Sequence, residues 1–280
     1  MSIAIAVEPG TGARRGRGAA LLAAALALAS PPATAWAAGP AAPAVVTPAN
    51  RAWEPFGLAD RTLVHGDLSR PACASTSLIR PRADTSVPPH AVPVDRAYVV
   101  LSGALRVGVG KEWDEHRLRK LSPGSFWYVP ARTSTFGRAD EEVVLQVDVV
   151  HGAEGCPLPA EPLFLSPEQI RWEESAGGRR AVLLGNPAAP RCPSVVRFRL
   201  LPSPPPEPRA APDPSLRVCT VLSGGLQGFP SPGASPERHP ALPAGSLVVL
   251  PAGSCGALPA TEEAVVQEET IAETRRACAR

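Results

Sequence analysis

A segment of this chain occurs twice, and the repetition narrows the possible folds more than any other feature. RAYVVLSGALRV, from Arg96, returns as RVCTVLSGGLQG from Arg217. LSPGSFWYVPARTSTF, from Leu121, returns as LPAGSLVVLPAGSCGA from Leu242, and EEVVLQV from Glu141 returns as EEAVVQE from Glu262. These three pairs stand 121 residues apart, and upstream GDLSRPAC from Gly66 answers GNPAAPRC from Gly185 at a spacing of 119. Self-similarity at a fixed period marks a duplicated unit.

Each unit is written in short apolar runs separated by turns. Tyr98–Leu101, Leu105–Val109, Phe126–Val129 and Val143–Val149 are rich in the β-branched and aromatic residues that strands favour. Ser102-Gly103, Pro123-Gly124 and Pro130-Ala131 punctuate them. With 35 prolines and no sustained helical period after residue 40, an all-β chain is expected. Strand alternation sends Phe126 and Tyr128 to one face and Trp127 to the other, where an exposed Trp127 would mark an interface.

The N-terminus is a different kind of segment. Arg14, Arg15 and Arg17 precede an apolar run from Gly18 to Ala29, and small residues follow at Ala33, Ala35 and Ala37. This is the pattern of a secretory signal peptide over residues 1–37. The run is shorter than the roughly 20 residues of a membrane span. A periplasmic or secreted protein is expected, with no membrane span once the signal is cleaved. Removing 1–37 takes away three arginines and Glu8, so the formal charge of +2 falls to about zero. A neutral chain offers no basic face to nucleic acid. Residues 38–54 read as a Pro/Ala linker, 55–155 as the first copy, 156–174 as a second linker and 175–278 as the second copy.

The motif PPHAVPVDRAYVVLSG, from Pro88, followed by LSPGSFWYVPARTSTF, resembles the paired motifs of the cupin superfamily, and LPAGSLVVLPAGSCGA resembles the second motif again. The resemblance spans most of 55–150 and 175–270. It implies two tandem cupin-type double-sheet jelly-roll barrels. In metal-bearing relatives two histidines, a glutamate and a third histidine point inward to hold a transition metal. Here the first copy keeps His90 alone. Val92 stands for the second histidine, Arg96 for the glutamate and Thr135 for the last histidine. The corresponding residues of the second copy are Ala211, Asp213, Arg217 and Gly256. A guanidinium is a permanent cation that cannot become a ligand, so no metal cofactor is expected.

Arginine at one equivalent position in both copies raises a second possibility. If Arg96 and Arg217 point inward, each offers a forked donor suited to a carboxylate or phosphate. Otherwise each pairs with a carboxylate of its own copy, such as Asp95, Glu142 or Glu263. The candidate ligand-binding set is Arg96, His90, Tyr98, Thr135 and Arg217. No catalytic residues stand out: the glycines of VGVGKEWDEH around Lys111 lack the strand-to-helix context of a phosphate loop. The reading is a non-catalytic protein that binds a small ligand or a protein partner. The alternative is a metal-dependent cupin enzyme, of oxygenase or isomerase type, built on His90.

Six cysteines in an exported chain form a disulfide framework. The duplication pairs Cys73 with Cys156 and Cys192 with Cys278, one staple per copy. Cys219 and Cys255 then remain, as a third bond or as two thiols.

Overall fold

The computed structural model describes residues 44–67, 69–70, 73–152, 155–175, 178–189, 192–202, 216–228, 241–250 and 258–271. The first part of the chain supplies β1 (Ala44–Val46), β2 (Glu54–Phe56), β3 (Ala59–His65), β4 (Ser75–Pro81), β5 (Thr85–Ala91) and β6 (Arg96–Ser102). It continues with β7 (Leu105–Val109), β8 (Arg119–Leu121), β9 (Phe126–Val129), β10 (Ser134–Ala139) and β11 (Val144–Val149). The second part supplies β12 (Leu163–Leu165), β13 (Glu173–Ser175), β14 (Gly178–Gly185), β15 (Ser194–Leu200) and β16 (Leu216–Ser223). Last come β17 (Gly225–Leu226), β18 (Leu242–Pro243), β19 (Leu247–Leu250) and β20 (Ala264–Ile271). Short 3-10 turns at Glu115–Arg117 and Pro167–Gln169 are the helical elements among the described residues.

The four strands expected in the first copy form as β6, β7, β9 and β11. Pro88 and Pro89 fall in β5, at the edge of a four-stranded sheet ordered β5-β10-β7-β8, where a residue without an N–H breaks no ladder. The glycine of each VLSG turn is structurally required. Gly103 and Gly224 have φ of +70° and +71°, and a Cβ on either would meet a backbone carbonyl at 2.2 Å.

Two seven-stranded sheets repeat one topology, β12-β9-β6-β11-β4-β3-β2 and β1-β19-β16-β20-β15-β14-β13. Each faces a smaller sheet, the four-stranded one in the first copy and β17-β18 in the second. The result is a nearly all-β, double-sheet sandwich architecture in which no described sheet closes into a barrel.

The terminal strand of each large sheet comes from the other copy's approach segment. β1 precedes the first copy but pairs with β19 of the second; β12 precedes the second copy but pairs with β9 of the first. Val45 accordingly packs on the interior of the second copy, and Phe164 on that of the first. Both segments read as linkers in the sequence, and both carry a strand. The repeat therefore begins at Ala44 and Leu163, where TPANRAWE after β1 answers SPEQIRWE after β12 at the spacing of 119. The turns match too: Asn50 Oδ1 accepts the Thr47 N–H at 2.6 Å, and Gln169 Oε1 accepts the Ser166 N–H at 2.9 Å.

The disulfide scheme is corrected in the same region. Cys156 bonds to Cys192, with Cα atoms 5.5 Å apart, so this bond ties the end of one copy to the start of the next. The one-staple-per-copy pairing fails because these two chain ends are spatial neighbours. Cys73 and Cys219 each take part in a disulfide as well. Cys255 and Cys278 lie outside the described residues, as does the predicted signal peptide.

The outer faces of the two large sheets pack on each other. Ala97, Phe126 and Tyr128 of the first copy meet Ile170, Leu183, Leu184 and Val195. Phe126 and Tyr128 thus form the interface, while Trp127, 3% exposed, points into the first copy; the exposed interface role expected for Trp127 is overturned by its inward orientation. A buried polar network crosses the same interface. Gln146 Nε2 donates to Asp148 Oδ2 at 3.0 Å and to Glu269 Oε1 at 3.1 Å, and Gln267 Nε2 donates to Glu269 Oε1 at 2.8 Å. Arg197 donates to Gln267 and to the Gly124 carbonyl.

Candidate functional site

Strand alternation decides which side chains of the first copy face inward. On β6 these are Arg96, Tyr98 and Val100. Arg96 lies between Val129 and Val149 in the sheet register, and Tyr98 between Trp127 and Val147. Tyr98 and Trp127 stack with centroids 4.5 Å apart and planes 1° from parallel. Opposite them β10 brings Thr135 and Phe136, and Thr135 sits beside His90 of β5.

These elements line an open-mouthed cavity of about 400 Å³. His90, Arg96, Tyr98 and Thr135 all line it, so the structure brings together four of the five candidate residues. Arg217, the fifth, lies in the second copy. Trp127 and Phe136 supply much of the apolar wall, and Phe56 and Leu58, 46% and 60% exposed, flank it from the β2–β3 turn. Sequence reasoning did not single out Phe136 or the Phe56–Leu58 turn as site elements. Phe136 carried a detectable signal in the glycine on the neighbouring strand: a Cβ on Gly108 would strike its ring at 2.3 Å.

The donor set does not fit a metal. Val92, at the position of a second imidazole, is fully buried in the apolar core. Thr135 is a neutral hydroxyl, and Arg96 puts a permanent cation in the same cavity. His90 is exposed at the rim, its Nδ1 3.1 Å from the Pro88 carbonyl oxygen. Among the described residues no group of three or more His, Cys, Asp or Glu side chains is arranged to hold a metal ion. Asp213 and Gly256 of the second copy lie outside the described residues, with Ala211.

The two inward arginines have different surroundings. Arg217 forms a close ion pair with Glu268 and donates to Thr270 Oγ1 at 3.0 Å. Arg217 thus pairs with a carboxylate of its own copy, but Glu268 rather than Glu263, which approaches Arg199 at 3.8 Å. The residues of the first copy equivalent to Glu268 and Thr270 are Val147 and Val149. Arg96 therefore faces valines. Its neighbour on the same strand face is the Tyr98 phenol, while its buried Nε has no hydrogen-bond partner among the described residues. Asp95 is engaged elsewhere, accepting the Ala131 N–H at 2.7 Å. Burial pushes the Tyr98 phenol up and the Arg96 charge opposes it, so the hydroxyl stays protonated and available to donate. The second cation on the cavity wall, Arg138, is already held by Asp140 at 2.6 Å.

Comparison with known proteins finds likeness in structure alone. No family model and no curated protein matches the chain. A glyoxylate-induced protein from Pseudomonas aeruginosa superposes with a TM-score of 0.58 at 12% identity, over 84% of this chain and 90% of its own. Protein Ylba from E. coli, of family DUF861, does so with a TM-score of 0.54 at 12% identity, over 84% and 93%. A cupin 2 conserved barrel domain protein from Leptotrichia buccalis also aligns, with a TM-score of 0.49 at 14% identity, over 83% and 97%. The chain is similar to these proteins, the first two likenesses exceeding half on the TM scale, and at such identity what it shares with them is the fold.

Proposed function

We propose that this chain is an exported, metal-free binding protein made of two tandem cupin-type barrels, in which the first copy holds a small molecule and the second is structural. The observation that carries the reading is the cavity of the first copy. It keeps the position of the family's metal pocket, but Val92, Arg96 and Thr135 replace its ligands. A concave, mostly apolar cavity with a few converging polar groups is the usual form of a small-molecule site. The size and concave form favour a small molecule over a protein partner. His90 contacts the Pro88 carbonyl rather than the neighbouring Thr135 hydroxyl, which supports binding without chemistry. The N-terminal pattern of arginines, apolar run and small residues supports export to a periplasm or beyond.

Metal analysis of protein purified without chelator tests the first half of this reading, and a thermal-shift screen with small apolar molecules tests the second. Substoichiometric metal and stabilisation by at least one compound that quenches Trp127 are the expected results. Stoichiometric iron, manganese, nickel or zinc retained through gel filtration would return the site to a metalloenzyme built on His90.

A further inference from the structure

The duplication supplies an internal control for what the first cavity takes. Two arginines occupy equivalent places in two copies of one fold. In the second copy the chain provides the counter-ion, Glu268, from the strand next to Arg217. In the first copy the equivalent residue is Val147, and no described carboxylate forms an ion pair with Arg96. An inward guanidinium against valines is unfavourable unless an anion meets it. Resting on the reading of the first copy as a small-molecule site, we propose that its ligand is a monocarboxylic acid with a flat apolar body, and that Arg96 receives the carboxylate.

Three features set the class. Charge balance comes first: one uncommitted cation suits one negative charge, and Arg138 is already paired. A phosphate monoester, at close to two charges, would bring an excess charge into an apolar cavity. The donor geometry comes second. Arg96 Nε is buried and unpartnered, and a guanidinium fork presents parallel N–H groups that match a carboxylate. The Tyr98 hydroxyl beside it and the Thr135 hydroxyl on the facing sheet add neutral donors to the same cavity. The third feature is the surface beyond the arginine, where the stacked Tyr98–Trp127 pair gives the cavity an aromatic wall suited to a planar group.

Phenylacetate, phenylacetamide and phenyl phosphate share one ring and differ in charge, so titration calorimetry and Trp127 quenching with these three probes read the proposal directly. Phenylacetate is expected to bind at least about tenfold more tightly than either analogue, in line with the net worth of a charge-assisted hydrogen bond. Arg96→Gln is expected to remove that preference, and Arg96→Lys to keep part of it. Val147→Glu gives the first copy the second copy's counter-ion and is expected to abolish phenylacetate binding. Equal binding of phenylacetate and phenylacetamide, or tighter binding of phenyl phosphate, would overturn the carboxylate assignment while leaving the cavity as a small-molecule site. Binding of phenylacetate to folded Val147→Glu protein with wild-type affinity would overturn it as well. If none of the three probes binds the wild-type protein, both the assignment and the small-molecule reading fall.

Discussion

Arg96 and Arg217 occupy equivalent positions 121 residues apart, and only Arg217 faces a carboxylate of its own copy. The difference lies in one residue of the adjacent strand, Val147 in the first copy and Glu268 in the second. The same inward cation is thus locked by the chain in one copy and left for an outside partner in the other.

Glu268→Gln should therefore destabilise the protein. Glu268 is buried and Arg217 largely so, and breaking a buried pair by removing one partner costs about 3–5 kcal/mol. Arg217→Met combined with Glu268→Leu should recover most of the loss, because paired removal leaves no lone buried charge. Urea unfolding of the single and double variants measures both. A single variant within about 0.5 kcal/mol of wild type would show that solvent compensates Arg217.

How much of this was legible in the sequence depends on how local each signal is. Strands β6, β7, β9 and β11 follow from residue type and turns alone. The deciding contrast between the copies lies at the end of the aligned pair EEVVLQV and EEAVVQE, where Val147 meets Glu268. The contrast is invisible until strand register places that residue beside the arginine. The exchange of β1 and β12 left almost no local trace. Three-residue strands carry too little periodicity, and neither pairs with a sequence neighbour: β1 pairs with β19 near the far end of the chain (Ala44 with Val249), and β12 pairs back across β10 and β11 with β9 (Leu163 with Tyr128). Pro48, Trp53 and Glu54 recur as Pro167, Trp172 and Glu173, which was the available sign that these segments belong to the repeat.

That exchange predicts where damage appears. Phe164→Ala should loosen the first copy, whose interior it packs on, even though Phe164 leads into the second. Phe164 is only half-buried, so the loss should lie below the 3–5 kcal/mol of a fully buried Phe→Ala, at about 2 kcal/mol. Val45→Ala should loosen the second copy by about 1 kcal/mol. Hydrogen exchange resolved by peptide distinguishes the outcomes: faster exchange in β16 and β19, rather than in β6 and β9, is expected for Val45→Ala. The reverse assignment would contradict the pairing.

The interface between the copies predicts a pH dependence. Asp148 and Glu269, each 2% exposed, meet there at positions also 121 residues apart. Asp148 Oδ1 and Glu269 Oε2 have no hydrogen-bond donor among the described residues, and one proton shared between the two carboxyls would satisfy both. Burial pushes Asp148 up to about 6, and burial with the adjacent Asp148 charge holds Glu269 well above the usual carboxylate range. Arg197 comes down to about 9 through burial, so it stays charged at neutral and acid pH and leaves that window to the acids. A carboxyl raised in the folded state keeps its proton after the unfolded chain has released it. Its stabilising effect is therefore complete below about pH 4 and is lost as pH rises through 6. Unfolding free energy should fall by about 2–3 kcal/mol between pH 4 and pH 7 on account of Asp148. Asp148→Asn, which keeps the shape and cannot ionise, should make the curve shallower, leaving the part due to Glu269, and should leave phenylacetate binding in the first cavity unchanged. Chemical denaturation of both proteins across this range measures the slope, and a wild-type profile that rises with pH and is unaltered by Asp148→Asn would rule out the shared proton.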